Sequence, residues 1–320
     1  MMKEIKAKDL NAAKFIDEKV KEIRKAVGRG VAINALSGGV DSSVVTALGH
    51  RALGDRLRTY YIDTGLMRQN EGKKVAALFD AMGIKVEVVP AAKAFFRALK
   101  GLTDPELNRE AITQTFYREI FRKLILESGA RHLFHGTILT DVDETAAGIK
   151  RQHNIFAQIG IDPQKEFGYK IIEPLVELRK DGVRKVGQAL GLSEALFNRI
   201  PFPGPALAAR VLGEVTPERV RIVRKATTIV EKILAGTGSF QYLAVLHEDR
   251  VTGMRDGKRV FGMQIEVRCW ESLDARIAAP TQLPRKTLEK MAGQIISKLP
   301  EVVSVTYNIA TKPPSTIEAV

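Results

Sequence analysis

"VAINALSGGVDSSVVTALGH", residues 31–50, decides how this chain is read. Val31–Leu36 is short and apolar apart from Asn34, which suits a buried strand. Ser37-Gly38-Gly39 breaks that run, and "SSVVTALGHRAL" resumes it as a helix. A glycine-rich turn between a strand and a helix N-terminus aims several backbone N–H groups at one spot. The helix dipole adds partial positive charge there. Gly38 and Gly39 let the backbone approach an anion closely, and Ser37, Ser42 and Ser43 add hydroxyls. The turn is therefore expected to hold phosphate. It is not a Walker-type loop, because no lysine precedes the serines. Asp41 would repel phosphate unless a cation lay between them, so Mg²⁺ is expected to bridge Asp41 and phosphate oxygens. The simpler alternative is that Asp41 only N-caps the helix.

Outward from this turn, short apolar runs alternate with helical patterns. Strands are expected at "RTYYID", "KVEVVPA", "RHLFHGT" and "YKIIEP", and helices at "NEGKKVAALFDAMG" and "RKDGVRKVGQALG". "EAITQTFYREIFRKLILESG" reads as one long amphipathic helix. That alternation means parallel βαβ units and an α/β, doubly wound parallel sheet. Ligands of such sheets sit beyond the carboxyl ends of the strands. "SGGVDSS", "DTGLMR" and "GTILTDVDE" all follow strands and should converge. The prolines of "RIPFPGPALA" end the pattern and place a domain boundary near residue 201. Residues 1–200 would form the first domain and 201–320 a smaller α+β domain. In the latter, a helix over 217–236 precedes strands at "QYLAVLH" and "RVFGMQIEVRCW", with a turn at "RDGK". A helix at "LPRKTLEKMAGQIISKL" and a strand at "VVSVTYNIA" follow.

Composition narrows the class. The chain has 320 residues, 45% hydrophobic and 27% charged, as expected of a globular protein. Its one cysteine, Cys269, excludes an internal disulfide and a thiolate metal cluster, and fits a reduced, cytoplasmic setting. No apolar run reaches the roughly 20 residues of a membrane span. A net charge of +13 suits anionic partners. The absence of any recognisable RNA-binding module argues against nucleic acid as the partner.

"SGGVDSS" resembles the pyrophosphate-binding loop of the N-type ATP pyrophosphatases. "YIDTGLMRQNE", "EPLVELRKDGVRKVGQALGL", "PFPGPALAARVLGEVT" and "KPPSTIE" resemble, in order, the ATP pyrophosphatase part of the GMP synthetases. The resemblance implies conversion of XMP, ATP and ammonia to GMP, AMP and pyrophosphate through an adenylated XMP. It implies ATP binding by Ser37, Gly38, Gly39, Val40, Asp41, Ser42 and Ser43, with Mg²⁺ on Asp41 and Glu177. Arg68, Lys312, Thr316, Ile317 and Glu318 would bind XMP. Asp41 and Lys150 would be catalytic, Lys150 on a lid with His153 and Asn154. The second domain would bind XMP and carry a homodimer contact. Glu177 has a simpler alternative, an ion pair with Arg179 or Lys180.

The chain departs from the family pattern at a few positions. Ile200 replaces a histidine, Ala206 a glycine and Gln152 a histidine, and the terminus reads Ala319-Val320 instead of Trp-Glu. These changes fit either a divergent GMP synthetase subunit or a paralogue that adenylates another purine, an oxo-substrate or a tRNA base. Many family members carry a fused glutaminase. None precedes residue 31, and Cys269 in "VRCW" reads as a core residue, so ammonia would come from solution or a separate glutaminase subunit.

Overall fold

The structure, a computed structural model, describes residues 4–146, 169–197, 200, 202–273 and 275–320. The chain divides into two compact units, Met1–Asp63 with Gly72–Pro90 and Gln114–Arg199, and Thr64–Glu71 with Ala91–Thr113 and Ile200–Val320.

The first unit is built on five parallel strands: β1 (Ala32–Ala35), β2 (Leu57–Asp63), β3 (Val86–Pro90), β4 (His132–Phe134) and β5 (Lys170–Ile172), in the order β3-β2-β1-β4-β5. This is the expected open α/β sheet with flanking helices. The chain winds one way from β1 to β3 and the other way from β4, so β1 and β4 flank the switch point where such sheets hold ligands. Helix α1 (Ala12–Val27) turns Phe15, Ile16, Val20, Ile23 and Val27 inward, a stripe at helical spacing. Helix α2 (Val40–Leu53) follows β1 and is buried along most of its length, with its charged residues confined to the first and last turns.

Asn34 is the one polar residue in the apolar run before the turn, and it is buried. Its amide donates to Thr46 Oγ1 at 2.7 Å and accepts from Thr59 Oγ1 at 2.7 Å. Thr46 Oγ1 in turn donates to the Ser42 carbonyl at 2.7 Å. A satisfied buried network of this kind fixes α2 on β1 and β2, and with it the turn between them.

The expected helix over 110–129 is interrupted. An α-helix over Pro105–Gln114 widens into a π-helix over Thr115–Phe121 and tightens again over Arg122–Ser128. Phe116 stacks on Phe121 with centroids 6.1 Å apart, and Tyr117 meets Phe116 edge-on at 4.8 Å. The wider turn brings residues five apart onto one face, so the aromatic pair selects it over the α-helix.

The second unit is α+β. Helix α3 (Pro217–Leu234) starts as "VTPER" suggests, with Thr216 Oγ1 accepting from Arg219 N at 3.3 Å and proline in the first turn. Strands β6 (Gln241–Arg255) and β7 (Lys258–Glu271) form an antiparallel hairpin. Asp256 and Gly257 turn it with φ of 51° and 73°, the left-handed pair a tight hairpin requires. The first strand runs eight residues past the expected His247, beyond a register shift at Leu246/Arg250. Strand β8 (Ala279–Pro280) pairs antiparallel and β9 (Val302–Tyr307) parallel with β7. A helix over Arg285–Lys298 precedes β9.

Two segments of the first 200 residues belong to this unit. Residues Thr64–Glu71 are held by Arg224, which donates to the Met67 carbonyl at 2.7 Å and to the Gly65 carbonyl, and by Leu207 N on the Leu66 carbonyl at 2.9 Å. Residues Ala91–Thr113 are tied in by Gly101 N on Glu214 Oε1 at 2.8 Å.

Candidate functional site

In the first unit, the turn after β1 has the form the sequence predicts. Gly38 has φ of 79°, and Gly39 is the N-cap of α2 with no side chain to offer. Asp41 is not the cap; it lies inside the first turn of α2. Ser43 N, on Gly39 O at 3.0 Å, is the first amide of the helix used within it, so the preceding amides lack intrahelical partners. Ser37 Oγ and Ser42 Oγ lie 2.9 Å apart at the mouth of the turn. Ser42 Oγ and Ser43 Oγ both donate to Gly39 O, at 3.0 and 2.8 Å, and Ser43 is the buried one of the two. The loop after β4 lies against the turn, since a methyl at Gly136 would sit 3.4 Å from Ser42 N. Beside it His135 Nδ1 and Thr137 Oγ1 are 2.7 Å apart, and Thr137 donates to Glu173 Oε1 at 2.5 Å.

Asp41 is the charged centre of this turn. Its Oδ2 accepts from Lys180 Nζ at 2.6 Å, while its Oδ1 is buried without a hydrogen-bond partner. Burial raises its pKa, and Asp141 adds to the rise; the charges of Lys180 and Arg184 oppose it. A buried carboxylate oxygen without a hydrogen-bond partner calls for a cation or a proton. Glu177 is placed otherwise. It pairs with Lys19 at 2.8 Å, not with Arg179 or Lys180, and Arg179 pairs with Asp143 and Glu4. The described residues contain no group of three or more His, Cys, Asp or Glu that could hold a metal by themselves. Lys150, Gln152, His153 and Asn154 lie outside the described residues.

The second unit gathers the other expected residues. Arg68 is mostly buried; its Nε donates to Glu231 Oε1 at 2.7 Å and its Nη2 to the Ile200 carbonyl at 3.3 Å. Its guanidinium lies 4.0 Å from the centroid of Phe202. In the C-terminal segment, Lys312 Nζ donates to the Ala275 carbonyl at 2.8 Å, and Thr316 Oγ1 to the Glu318 carbonyl at 2.6 Å. Ile317 packs with Leu243, Val245, Trp270 and Ala278, which makes it the apolar anchor of that segment. Glu318 is engaged on both oxygens, by Arg210 Nε at 3.0 Å and Nη2 at 2.9 Å, and by Gln241 Nε2 at 2.6 Å. Arg268 Nη1 donates to the carbonyls of Thr316 and Glu318 at 2.9 and 3.2 Å.

Sequence reasoning missed Lys180, Arg210 and Gln241. For Arg210 a signal existed: it is the lone charge in "ALAARVL", and it is wholly buried. Lys180 was expected at most as an ion-pair partner of Glu177, and it pairs with Asp41 instead.

Two family models match the chain, Asparagine synthase over residues 24–136 and GMP synthase C terminal domain over residues 229–319. The chain is 47% identical over 307 residues to the B subunit of the glutamine-hydrolyzing GMP synthase of Thermococcus kodakarensis, covering 95% of this chain and 98% of the relative. The proteins of that name from Pyrococcus furiosus and Archaeoglobus fulgidus are each 46% identical, covering 95% and 97% of this chain and 96% and 99% of theirs. Part of the chain also superposes on NMN synthetase from Francisella tularensis, with a TM-score of 0.48 at 16% identity over 62% of this chain and 78% of that one. With relatives this similar from end to end, the chain belongs to the family of GMP synthase B subunits.

Proposed function

We propose that this chain is the ATP-using ligase subunit that aminates XMP to GMP, releasing AMP and pyrophosphate. The observation that carries the reading is the turn after β1, where the first amides of α2, unpaired within the helix, the Ser37–Ser42 hydroxyl pair and an unpartnered oxygen of Asp41 fall within six residues. The near-full-length match to GMP synthase B subunits supports XMP as the acceptor and disfavours a paralogue with another acceptor.

Ser37, Gly38, Gly39, Val40, Ser42 and Asp41 would cradle the ATP phosphates by backbone and hydroxyl donors. Mg²⁺ fits this place, because Asp41 Oδ1 supplies one hard oxygen and the remaining ligands would be phosphate oxygens and water. Bound there, the ion would neutralise phosphate charge. Glu177 would have to leave Lys19 to join it, so Asp41 is the protein's principal ligand in this reading. Lys180, already paired with Asp41, holds that carboxylate in place and adds positive charge beside the departing pyrophosphate. Arg68 and the segment Lys312–Glu318 would hold XMP. Lys150 would act from the lid.

In the reaction, the XMP C2 oxygen attacks the α-phosphate of ATP and pyrophosphate leaves. Ammonia then attacks C2, AMP leaves with the C2–O electron pair, and the new nitrogen loses a proton. The ammonia would come from a separate glutaminase subunit or from solution. The second unit would carry the homodimer contact; Met254 and Phe261, exposed and diagonal on one face of the hairpin, are its candidate apolar groups.

The test is pyrophosphate release from ATP and Mg²⁺ with ammonium, with and without XMP. Pyrophosphate and GMP that both require XMP would support the reading. ATP binding with no response to XMP would overturn it.

A further inference from the structure

We propose that Glu266 is a positioning residue for the acceptor: through Arg268 it sets the C-terminal stretch Thr316–Glu318 in the conformation that takes XMP. The inference rests on the functional reading above, in which that stretch holds the acceptor.

The register of the hairpin explains why these residues meet. Gln241 pairs with Trp270, Leu243 with Arg268 and Val245 with Glu266. Directly paired side chains share a face of a sheet, and alternate residues of a strand return to it. The six therefore form one surface of β6 and β7, and the C-terminal stretch lies on it. Ile317 packs with Leu243, Val245 and Trp270. Gln241 Nε2 donates to Glu318 Oε1 at 2.6 Å, and Trp270 Nε1 donates to the Ile317 carbonyl at 3.3 Å. Arg268 Nη1 donates to the carbonyls of Thr316 and Glu318 at 2.9 and 3.2 Å. Three successive carbonyls are thus held by two side chains of β7, and Arg268 holds the outer two.

Glu266 grips the other edge of that guanidinium. Its Oε1 accepts from Arg268 Nε at 2.7 Å, and its Oε2 lies 3.4 Å from Nη2. A guanidinium is a rigid plane, so a carboxylate on its Nε edge fixes where Nη1 points. Glu266 is held in turn. His247 lies in the irregular stretch after Leu246, where a bulge re-aims side chains, and its Nε2 is 2.9 Å from Glu266 Oε2. Burial pushes the Glu266 carboxyl up, but the hydrogen bonds and charges of Arg268 and His247 outweigh it and hold the group below its ordinary value. Glu266 therefore meets Arg268 as a carboxylate, in a charge-assisted bond. Without it Arg268 regains rotamer freedom, and the ligand itself must order the stretch, which weakens acceptor binding. The ATP cradle lies in the first unit and does not share this loss.

The experiment is a double-mutant cycle on Glu266→Ala and Arg268→Ala in the full chain. Equilibrium binding of XMP is measured, with kcat and the KM values for XMP and ATP at saturating ammonium. We expect Glu266→Ala to bind XMP about tenfold more weakly, a change worth about 1.4 kcal/mol, with KM for XMP raised and KM for ATP unmoved. In the Arg268→Ala background the same change should weaken binding no further, because Glu266 acts through that guanidinium. A residue that only supports the fold would lower kcat through the active fraction and leave both KM values alone. That outcome overturns the proposal, as do additive losses in the double variant or an unchanged affinity for XMP. If Glu266→Ala does not fold, Glu266→Gln keeps the size of the side chain and removes its charge. It should weaken XMP binding by a smaller factor, and equal binding there counts against the proposal. A wild-type chain that makes GMP while the variants bind XMP normally sinks this inference alone. One that neither binds XMP nor makes GMP sinks the functional reading with it.

Discussion

Asp41 shows how far a single residue can be read from sequence. Its type and place beside two glycines and three serines announced a cation or a cap; the cap is Gly39, and Asp41 keeps one oxygen buried without a partner. Its partner Lys180 was not legible, because the two are 139 residues apart in sequence and only the packed sheet brings them together. Nor was it legible that the hydroxyls of Ser42 and Ser43 would both donate to Gly39 O. Asp41→Asn should lower XMP-dependent pyrophosphate release on the order of 10²-fold, the scale of losing one preorganised electrostatic group. Its stability should move the other way. The folded-state pKa of Asp41 is raised, chiefly by burial, so the fold favours the protonated form. That contribution is complete below the unfolded carboxylate pKa and is lost as pH rises through the folded one. The amide of the variant cannot ionise, so above that window the variant should equal or exceed the wild type in denaturant midpoint, and the gap should close in acid. A variant less stable than wild type at neutral pH would show that the Lys180 pair outweighs burial.

At the scale of elements, strands and most helices were legible because each carries its own periodicity and punctuation. "VTPER" announced a capped helix, and "RDGK" announced a hairpin turn. What was not legible depends on neighbours. The π-helix over Thr115–Phe121 is chosen by ring packing, which the α-helical period of the segment hides. The 3₁₀ turn Ala206–Arg210 is a second case. Ala206 stood out as an alanine where the resembling family has glycine. The structure gives the cost: Ala206 opens the turn at φ of 57°, left-handed backbone that alanine adopts only with strain. Ala206→Gly should therefore raise the denaturant midpoint, by about 1 kcal/mol or somewhat less once the greater chain entropy of glycine is set against it. The turn also ends in Arg210, the buried grip on Glu318. An unchanged or lower midpoint would mean that the buried methyl group contributes as much as the strain costs.

At the scale of the whole molecule, the sequence suggested two consecutive domains, and the two described units are interleaved. Residues Thr64–Glu71 and Ala91–Thr113 belong with Ile200–Val320. No periodicity reveals this, because a segment that leaves one core for another keeps the same local pattern. It does have a consequence: Arg68 follows a strand of the first sheet in sequence, yet its partners Glu231, Ile200 and Phe202 all belong to the second unit. The source of ammonia is also a question for the whole molecule. A glutaminase of the thiol type needs an accessible cysteine beside a base. This sequence has only Cys269, and it is 1% exposed in β7, opposite Tyr242 in β6. A thiol packed between strands cannot reach a glutamine side chain, and its replacement should matter to packing alone. The purified chain should form GMP from XMP, ATP and ammonium, and should form none when glutamine replaces ammonium. Cys269→Ala should keep the ammonium-dependent rate within about twofold while lowering stability by about 1 kcal/mol or more, the scale of a small buried side chain removed from a core. Glutamine-dependent GMP from this chain alone, lost in Cys269→Ala, would contradict the proposal that ammonia comes from a separate subunit or from solution.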